Sequence, residues 1–487
     1  MIDPRIFRAY DIRGVAGTQL TEEACLQIGF AFGTVLIEKY GKEHPSPTVA
    51  VGRDARTHSL ALQAEVMKGL IVAGCEVFDI GQTPSPVNYF TICTQKFDAG
   101  MQITASHNPK EDNGIKLCTR DADAFSGEDL QELRRRIEAS PSPEKNSPPS
   151  FSASAERVAP QGRERTEEKA QALDAEKPYI THLTKLFRNV GAGKKVVVDG
   201  GNGVAGPCYC EVLRAIGCEV IELYTEPDGT FPNHAADPSK HSTLKELQEK
   251  VLSEKADCGF AFDGDGDRMG LIDEKGQIVT ADQTLLLLAQ DHLSRHKGAP
   301  VIFTVSNSSL LETEVTKWGG KPVMCKVGHS YVEHAMREHK ALLGGEQSGH
   351  FFCGEDYFGF DDAIVASLRI LAILAKSLAG SHVSRHALHD LIADFPIIFQ
   401  SPERRPHCPD DKKAEVVRLL TDHFEETYFV TTLDGARIDF GEGAWAGIRY
   451  SNTSPCLSIC IEARSEAKLK AVEKEVLEEV AKNVEVS

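Results

Sequence analysis

Residues 196–201, Val196-Val197-Val198-Asp199-Gly200-Gly201, are a short apolar run that passes directly into a polar, glycine-containing turn. A helix-like stretch follows at residues 205–216, and after Gly217 the chain becomes apolar again at residues 218–221. Apolar strands that alternate with helices are typical of parallel sheets covered by helices on both faces. This stretch therefore predicts an α/β unit.

The same order of elements occurs twice more along the chain. Residues 49–54 and 301–306 are also apolar runs that end in polar turns, and each is followed by a helix-like stretch and a second strand. A period of about 100 residues indicates domain duplication, because solenoid repeats are far shorter. Loops after strands at the carboxyl edge of such sheets face the ligand crevice. The last strand of each unit leads into one polar loop: Thr104–Pro109, Asp263–Arg268 and Gly345–His350.

Two segments depart from this pattern. Residues 139–177 are rich in Ser, Pro, Glu, Lys and Ala, which predicts a flexible connection at 141–177, with a helix near its end. From about Phe395 onward, polar helix-like and β-like runs predict a small α+β unit. The fold class expected is three similar α/β domains with mixed, mainly parallel sheets plus a C-terminal α+β domain, around a central cleft. The expected domain boundaries are 1–140, 178–280, 281–392 and 393–487.

Composition limits the classes of partner. The chain has 487 residues and a formal net charge of −18, which argues against nucleic acid or an anionic membrane as the main partner. No apolar run approaches the length of about 18 residues that a membrane span requires, and the start of the chain lacks a secretory signal pattern. The 13 cysteines are scattered without a Cys-x-x-Cys pair, which favours reduced thiols in a cytoplasmic protein over zinc sites or disulfides.

Ser106 is the strongest candidate for a reacting group. It lies in a polar turn closed by Pro109, directly after the apolar stretch 99–103, with His107 beside it. A free serine hydroxyl is a weak nucleophile, and a serine that stores a phosphoryl group needs cations and a metal nearby. Two cations could reach this loop: Lys116, and Arg13 in the stretch Tyr10–Gly14.

Three carboxylates at alternate positions predict a metal site. Asp263, Asp265 and Asp267 are separated by glycines, and oxygen ligands of this kind suit Mg²⁺. An EF-hand calcium loop is disfavoured because Arg268 occupies the position where the sharp turn needs glycine, and because a strand precedes the loop. An acidic surface turn, or a phosphatase in which Asp263 is the nucleophile, remain alternatives, although Ser106 makes the second redundant.

Two further regions carry side chains suited to a sugar phosphate. An arginine, two hydroxyls and an amide in the turn 449–453 can form a phosphate cradle, although such turns are also common on solvated surfaces. Glycine-flanked turns in the third unit offer groups suited to sugar hydroxyls, but a helix-capping turn and structural histidines are the plainer interpretations. The candidates for substrate binding are Tyr10, Lys326, His329, Glu346, Ser348, His350, Arg449, Ser451, Asn452 and Thr453.

With these loops assembled in order, the sequence resembles the α-D-phosphohexomutase superfamily over essentially its whole length. The resemblance implies an isomerase of carbohydrate metabolism, in which Ser106 is a phosphoserine and Mg²⁺ is held by Ser106, Asp263, Asp265 and Asp267. It implies that hexose 1-phosphates and 6-phosphates are interconverted through a hexose 1,6-bisphosphate, which is also the activator. The resemblance also gives catalytic roles to five residues: Ser106, His107, Lys116, Arg13 and Arg268.

The identity of the sugar stays open at this stage. Mannose and glucose phosphates are expected substrates, because a site that binds O3 and O4 accepts both. Gln347 is similar to the residue found in phosphoglucosamine mutases, while Val327 and the turn 304–307 depart from many relatives. A phosphoglucosamine mutase, or a catalytically silent sugar-phosphate-binding or calcium-binding protein, are therefore the alternatives. The sequence also leaves open the oligomeric state and the identity of the general acid/base.

Overall fold

The computed structural model describes residues 2–139, 170–379, 387–451 and 455–484, which form four sheets with their covering helices. Most of the predicted flexible connection at 141–177 lies outside the described residues, as do Asn452 and Thr453. In the described part of the chain, no helix is both long and apolar enough to cross a membrane.

The first sheet carries Ser106 at the end of one of its central strands. Its order is β1-β5-β4-β2-β3-β7, with β6 paired to β5, and β2 is parallel to both β3 and β4. Helices α1 and α2 pack closely because Gly29 and Gly69 lack side chains; a Cβ on either would lie 2.3 Å from a carbonyl oxygen of the other helix. The elements are β1 Ile12–Val15, α1 Glu22–Tyr40, β2 Thr48–Arg53, α2 Ser59–Ala73, β3 Glu76–Gln82, α3 Ser85–Gln95, β4 Ala99–Ile103, β5 Asp112–Thr119, β6 Asp123–Ala124, α4 Glu128–Ala139 and β7 Gln171–Ala172.

The second sheet places the three aspartates after its central strand. Its order is β12-β11-β10-β8-β9, and β8 is parallel to both β9 and β10. The quoted valines 196–198 are fully buried in β8, as an apolar run in a covered parallel strand should be. The elements are α5 Glu176–Leu186, β8 Lys195–Asp199, α6 Gly206–Ala215, β9 Glu219–Leu223, α7 Lys245–Glu254, β10 Cys258–Phe262, β11 Met269–Asp273 and β12 Ile278–Val279.

The third sheet has the order β14-β13-β15-β16, in which β13 is parallel to both β14 and β15. Thr280 and Gln283 form a capping box that fixes the start of α8. The elements are α8 Ala281–Arg295, β13 Pro300–Thr304, α9 Ser309–Lys317, β14 Lys321–Cys325, α10 His329–His339, β15 Leu343–Gly345, β16 Phe351–Cys353, α11 Ala363–Ala379 and α12 Leu388–Ile392.

The C-terminal unit is a wholly antiparallel sheet, β17-β21-β20-β19-β18, with two helices. The fold class predicted from the sequence, three α/β units and a C-terminal α+β unit, is thereby confirmed. The elements are β17 Phe399–Gln400, α13 Lys413–Glu425, β18 Phe429–Thr431, β19 Ala436–Asp439, β20 Trp445–Tyr450, β21 Leu457–Ala463 and α14 Glu466–Val480.

The hydrophobic cores separate the C-terminal unit from the rest. One continuous cluster joins Phe90 of the first unit, Tyr209 of the second and Phe360 of the third. A distinct cluster, which includes Phe424 and Ile459, belongs to the C-terminal unit alone. The first three units therefore share a core, whereas the fourth is attached through other contacts.

The end of the predicted flexible connection is structured where it is described, which corrects the sequence-based expectation for 171–177. Gln171 and Ala172 pair in parallel with β3, and the Leu173 N–H donates to the Asp79 carbonyl at 2.9 Å. Helix α5 begins at Glu176, which agrees with the helix expected near the end of this segment. The polar composition did not indicate this pairing, because two residues at a sheet edge leave no periodic signal.

Candidate active site

Ser106 is held in an unusual backbone conformation at the end of β4. Its φ of 53° lies in the left-handed region, which costs a non-glycine residue about 1 kcal/mol or more. Its side chain is buried, and its N–H donates to Thr104 Oγ1 at 2.8 Å. Such a conformation persists only where neighbouring groups hold it.

Arg56 is the group that holds the serine loop, and the sequence analysis did not identify it. Its buried guanidinium donates to four carbonyl oxygens of the loop and to the carboxylate of Asp54. The only sequence signal was that Arg56 follows the polar turn after β2, two residues beyond an aspartate. The carbonyl contacts are Ser106 at 2.8 Å, Asn108 at 2.7 Å, Pro109 at 2.6 Å and Asp112 at 3.0 Å.

The aspartate loop lies against the serine loop. The Ser106 hydroxyl donates to Asp263 Oδ2 at 2.6 Å, and Oδ1 of the same carboxylate accepts three backbone N–H groups from residues 266–268, each at 3.1 Å. Gly264 allows this approach, because a Cβ there would lie 2.5 Å from the Ser106 carbonyl oxygen. The structure therefore brings Ser106 and the first of the three aspartates into direct contact.

Lys116 contacts the aspartates rather than the serine. Its Nζ donates to Asp265 Oδ2 at 2.6 Å and also to Asp267 Oδ2. Burial alone would lower the pKa of Lys116, but the charges of Asp265 and Asp267 more than offset that effect and raise it. Lys116 is therefore a fixed positive charge within the site.

The three carboxylates fit a divalent cation. Each offers one oxygen such that the three atoms lie within 4.8 Å of one another, and all three side chains are buried. Oδ1 of Asp265 and Oδ1 of Asp267 have no hydrogen-bond partner in the described part of the chain. Burial, together with the charges of Asp267 and Asp265, raises the pKa of Asp263. Unpartnered buried oxygens and excess negative charge are what a hard cation with oxygen ligands requires.

Arg13 and His107 surround the serine from the other side. Arg13 Nη1 donates to the Ala105 carbonyl at 3.1 Å and to Asn108 Oδ1 at 2.9 Å, as expected of an arginine that reaches the serine loop. His107 Nδ1 lies 3.2 Å from Ser106 Oγ. Burial, with Arg268 and Arg13 adding to it, lowers the pKa of His107 well below its usual range, so the imidazole is neutral at pH 7.

The third loop joins the aspartate loop through Arg268. Its Nε donates to His350 Nε2 at 2.9 Å, and the two residues form an antiparallel backbone bridge. Burial lowers the pKa of both His350 and His329 to about 4, which keeps both rings uncharged at neutral pH. The ring of His329 lies edge-on to Tyr10, 5.2 Å between centroids.

Glu346 has a structural contact that the sequence did not predict. Its buried Oε1 accepts the Gly328 N–H at 2.8 Å, at the start of the helix that carries His329. Ser348 is half-buried beside it, and Lys326 is exposed, with its Nζ 5.9 Å from the centre of the Tyr331 ring. The candidates of the third unit therefore surround one turn.

In the C-terminal unit, Arg449 and Ser451 lie at the end of β20. Two cations that the sequence analysis did not single out contact Ser451: Lys413 Nζ donates to its carbonyl at 2.7 Å, and Arg405 Nη2 donates to its hydroxyl at 3.3 Å. Both come from segments distant in sequence, so no local motif could have indicated them. Asn452 and Thr453 lie outside the described residues, and their predicted role stays a prediction.

The comparisons with known proteins agree over the whole chain. Four profiles of the phosphoglucomutase/phosphomannomutase family match in order: alpha/beta/alpha domain I at residues 4–144, domain II at 177–276, domain III at 280–395 and the C-terminal domain at 405–479.

Individual relatives point to the same group. A phosphomannomutase/phosphoglucomutase of Pseudomonas aeruginosa is 39% identical over 96% of this chain and 93% of its own length. A phosphoglucomutase of Neisseria meningitidis is 35% identical over 96% and 95%. A probable phosphoglucosamine mutase of Methanopyrus kandleri is 33% identical over 99% of both chains. A solved phosphoglucomutase/phosphomannomutase family protein of Burkholderia thailandensis superposes with a TM-score of 0.83 at 32% identity, covering both chains completely.

Proposed function

The chain belongs to the phosphoglucomutase/phosphomannomutase family within the α-D-phosphohexomutase superfamily and is an isomerase of the phosphotransferase mutase type, and from this premise we propose its chemistry in detail. The proposal is that it interconverts the 1-phosphates and 6-phosphates of mannose and glucose through a phosphoserine at Ser106. The observation that carries the proposal is the contact of 2.6 Å between Ser106 Oγ and Asp263 within a buried three-aspartate cluster.

In the proposed reaction, a hydroxyl oxygen of the sugar phosphate attacks the phosphorus of phosphorylated Ser106. A new P–O bond forms to the sugar oxygen while a base takes the proton of the sugar hydroxyl. The P–Oγ bond breaks, Ser106 Oγ keeps the bonding electron pair and is protonated to the free hydroxyl, and a hexose 1,6-bisphosphate forms. The bisphosphate then reorients in the cleft. Its other phosphoryl group is transferred to Ser106 Oγ by the reverse of the first step. The serine is therefore a reservoir that must be loaded before turnover, with the bisphosphate as activator.

Charge around the serine supports this transfer. A phosphoserine carries about −1.5 to −2 charges. Arg13, which contacts the Ala105 carbonyl, and Arg268, which contacts His350, are proposed to stabilise the oxygens of the group that transfers. Asp263, Asp265 and Asp267 would hold Mg²⁺ together with an oxygen of the phosphoserine. Mg²⁺, when bound, supplies neutralising charge and Lewis acidity to the transferring group. Neutral His107 is the proposed proton acceptor, whereas Lys116, held as a cation by Asp265 and Asp267, is proposed to assist the transfer through its positive charge.

The rest of the site would bind the sugar and the phosphate that does not transfer. Glu346, Ser348, His329 and Lys326 are the proposed sugar contacts. Arg449, Ser451, Asn452 and Thr453 are the proposed phosphate anchor, and the nearby cations Arg405 and Lys413 support an anionic ligand there. The proposed domain roles are phosphoserine for 1–140, metal for 178–280, sugar recognition for 281–392 and phosphate binding for 393–487.

The proposed partners are small hexose phosphates, and the proposed location is the cytoplasm. All 13 cysteines are buried free thiols, the state that a reducing compartment maintains. Glucosamine 6-phosphate is kept as a second candidate substrate, because a probable phosphoglucosamine mutase is 33% identical over 99% of this chain, although it is more distant than the 39% identical phosphomannomutase/phosphoglucomutase.

The test combines activity and mass. Coupled assays with mannose 1-phosphate, glucose 1-phosphate and glucosamine 6-phosphate, each primed with bisphosphate, should give the highest kcat/KM for one or both hexoses. Ser106→Ala should lose more than tenfold activity, and it should not gain the single phosphate that intact-mass analysis finds on the wild type. Ser294→Ala, on an exposed helix end, is the matched control. Retention of activity by Ser106→Ala would overturn the phosphoserine role, and binding without turnover in the wild type would favour a silent binding protein.

A further inference from the structure

Asp361 is a buried carboxylate beside the active site, and it has no role in the reaction proposed above. It has no solvent exposure, and neither of its oxygens has a hydrogen-bond partner in the described part of the chain. Its backbone is fixed, because it bridges to Phe352, and the next N–H, that of Asp362, donates to the Phe351 carbonyl at 3.2 Å. A buried carboxylate without partners is costly, so its presence at a rigid position calls for a ligand or a neighbour.

That neighbour is His350. Asp361 Oδ2 lies 2.8 Å from His350 Nδ1, close enough for an N–H···O hydrogen bond once the N–H points at the carboxylate. On the opposite side of the ring, Nε2 lies 2.9 Å from Arg268 Nε. A guanidinium can only donate, so Nε2 must be the acceptor, and the proton of the neutral ring must be on Nδ1. This nitrogen lies 2.8 Å from Asp361 Oδ2 and 3.6 Å from Asp267 Oδ1, and it has no hydrogen-bond partner in the described part of the chain.

We propose that Asp361 is a positioning residue that acts through His350: it accepts the Nδ1–H, fixes the tautomer of the ring, and thereby keeps Nε2 available to orient Arg268. The inference rests on the proposed role of Arg268 in phosphoryl transfer. Carboxylate–histidine pairs commonly fix ring tautomers in this way.

The consequence of the wrong tautomer follows from the geometry. With the proton on Nε2, two N–H groups would face each other and the guanidinium would have to move. Arg268 Nε already lies 4.0 Å from Asp263 Oδ2, so one alternative partner within reach is the aspartate that contacts Ser106. Asp361 therefore keeps Arg268 directed at the transferring group instead of neutralising the metal-binding carboxylates.

The first test is a double-mutant cycle in the full-length enzyme. Asp361→Asn places an amide that can donate to Nδ1 and so permits the wrong tautomer; we expect kcat to fall 10- to 100-fold with KM changed less than threefold. In a His350→Ala background the same substitution should change kcat less than twofold, because the residue through which it acts is gone. Losses that multiply in the double mutant would overturn the proposal.

The second test does not depend on activity. The protein is labelled with ¹⁵N-histidine, and His350→Gln is used to assign the signal of His350. The neutral ring should carry its proton on Nδ1 in the wild type and should be a mixture of the Nδ1–H and Nε2–H tautomers in Asp361→Asn. Asp362→Asn is the matched control, since Asp362 is equally buried but accepts from Tyr179 and Tyr357; it should leave the tautomer unchanged. A wild-type proton on Nε2 would refute the role of Asp361 even if the enzyme is a mutase, whereas a wild type without mutase activity would refute the proposed function alone.

Discussion

At the scale of single residues, the serine loop depends on one arginine. Arg56→Met would remove a buried guanidinium that donates to four carbonyl oxygens of the serine loop and to the Asp54 carboxylate, which would keep only hydroxyl and backbone N–H donors. Breaking a buried ion pair costs about 3–5 kcal/mol, so the free energy of unfolding should fall by about that amount. Activity should fall at least 100-fold, because Ser106 loses the contact that holds its left-handed backbone.

Denaturant unfolding and the coupled mutase assay measure these two effects. Arg53→Lys is the matched control, since Arg53 lies in the same stretch but, among the residues that the structure describes, its side chain donates to Gln63 Oε1 alone, at 2.8 Å. We expect this control to lose less than about 1 kcal/mol. Equal losses in both variants would contradict the specific role of Arg56.

The sequence indicated the proposed reacting residues through compact motifs, but it did not indicate the residues that hold them in place. Ser106 and the three aspartates lie in compact motifs after strands, and the structure brings them together as expected. Arg56 acts on a loop that lies 50 or more positions away in the sequence, and Asp361 acts through the side chain of His350. Neither kind of contact gives a local spacing that sequence analysis can detect. Glu346 was assigned to the sugar, yet in the structure its carboxylate also fixes the turn before His329.

At the scale of elements, helix α5 begins with a partly buried carboxylate that gives the fold a pH dependence. Burial raises the pKa of Glu176 from 4.5 to about 7, and the charges of Asp174 and Glu211 add to this. Between pH 4.5 and about pH 7, the folded state therefore retains a proton on Glu176 that the unfolded state has released. The contribution of this group to stability is present below pH 4.5 and is lost as the pH rises to about 7.

Glu176→Gln cannot ionise and should escape that loss. Its free energy of unfolding relative to the wild type should rise by on the order of 1 kcal/mol between pH 5 and pH 8. Urea unfolding at both pH values measures the difference. Glu249→Gln, an exposed position on α7, should show no such change; a constant difference between wild type and Glu176→Gln would contradict the prediction.

Element boundaries show what composition can and cannot predict. The strands and helices of the three repeated units were predictable because apolar runs, glycine and polar turns follow one another in order. Strand β7 was not, because Gln171 and Ala172 are exposed and pair with β3 through backbone hydrogen bonds, with one side-chain contact from Gln171 Nε2 to Glu76 Oε1 at 2.9 Å. Backbone pairing at an edge is available to almost any sequence.

At the scale of the whole molecule, the C-terminal unit is held by polar contacts to the third unit. Glu462 Oε1 accepts from the Ser309 hydroxyl at 2.6 Å, and Gln400 Nε2 donates to Asp282 Oδ2 at 3.2 Å and to Glu462 Oε2 at 3.1 Å. Arg437 donates to the Val305 and Asn307 carbonyls, with its guanidinium 3.5 Å from the Trp445 ring centre. A polar joint between separate cores permits rotation more readily than a shared core does.

This joint should control substrate binding more than chemistry. Arg437→Met removes donors to two carbonyls of the third unit, so the proposed phosphate anchor at Arg449 and Ser451 should lose its alignment with Ser106. Because the proposed role of that unit is to bind the phosphate that does not transfer, we expect KM for glucose 1-phosphate to rise 5- to 50-fold while kcat falls less than fivefold. Arg418→Met is the matched control, since Arg418 pairs with Asp422 on the exposed face of α13, and it should leave both constants unchanged. A fall in kcat at constant KM would place Arg437 in the phosphoryl-transfer step and would show that the joint does not govern binding.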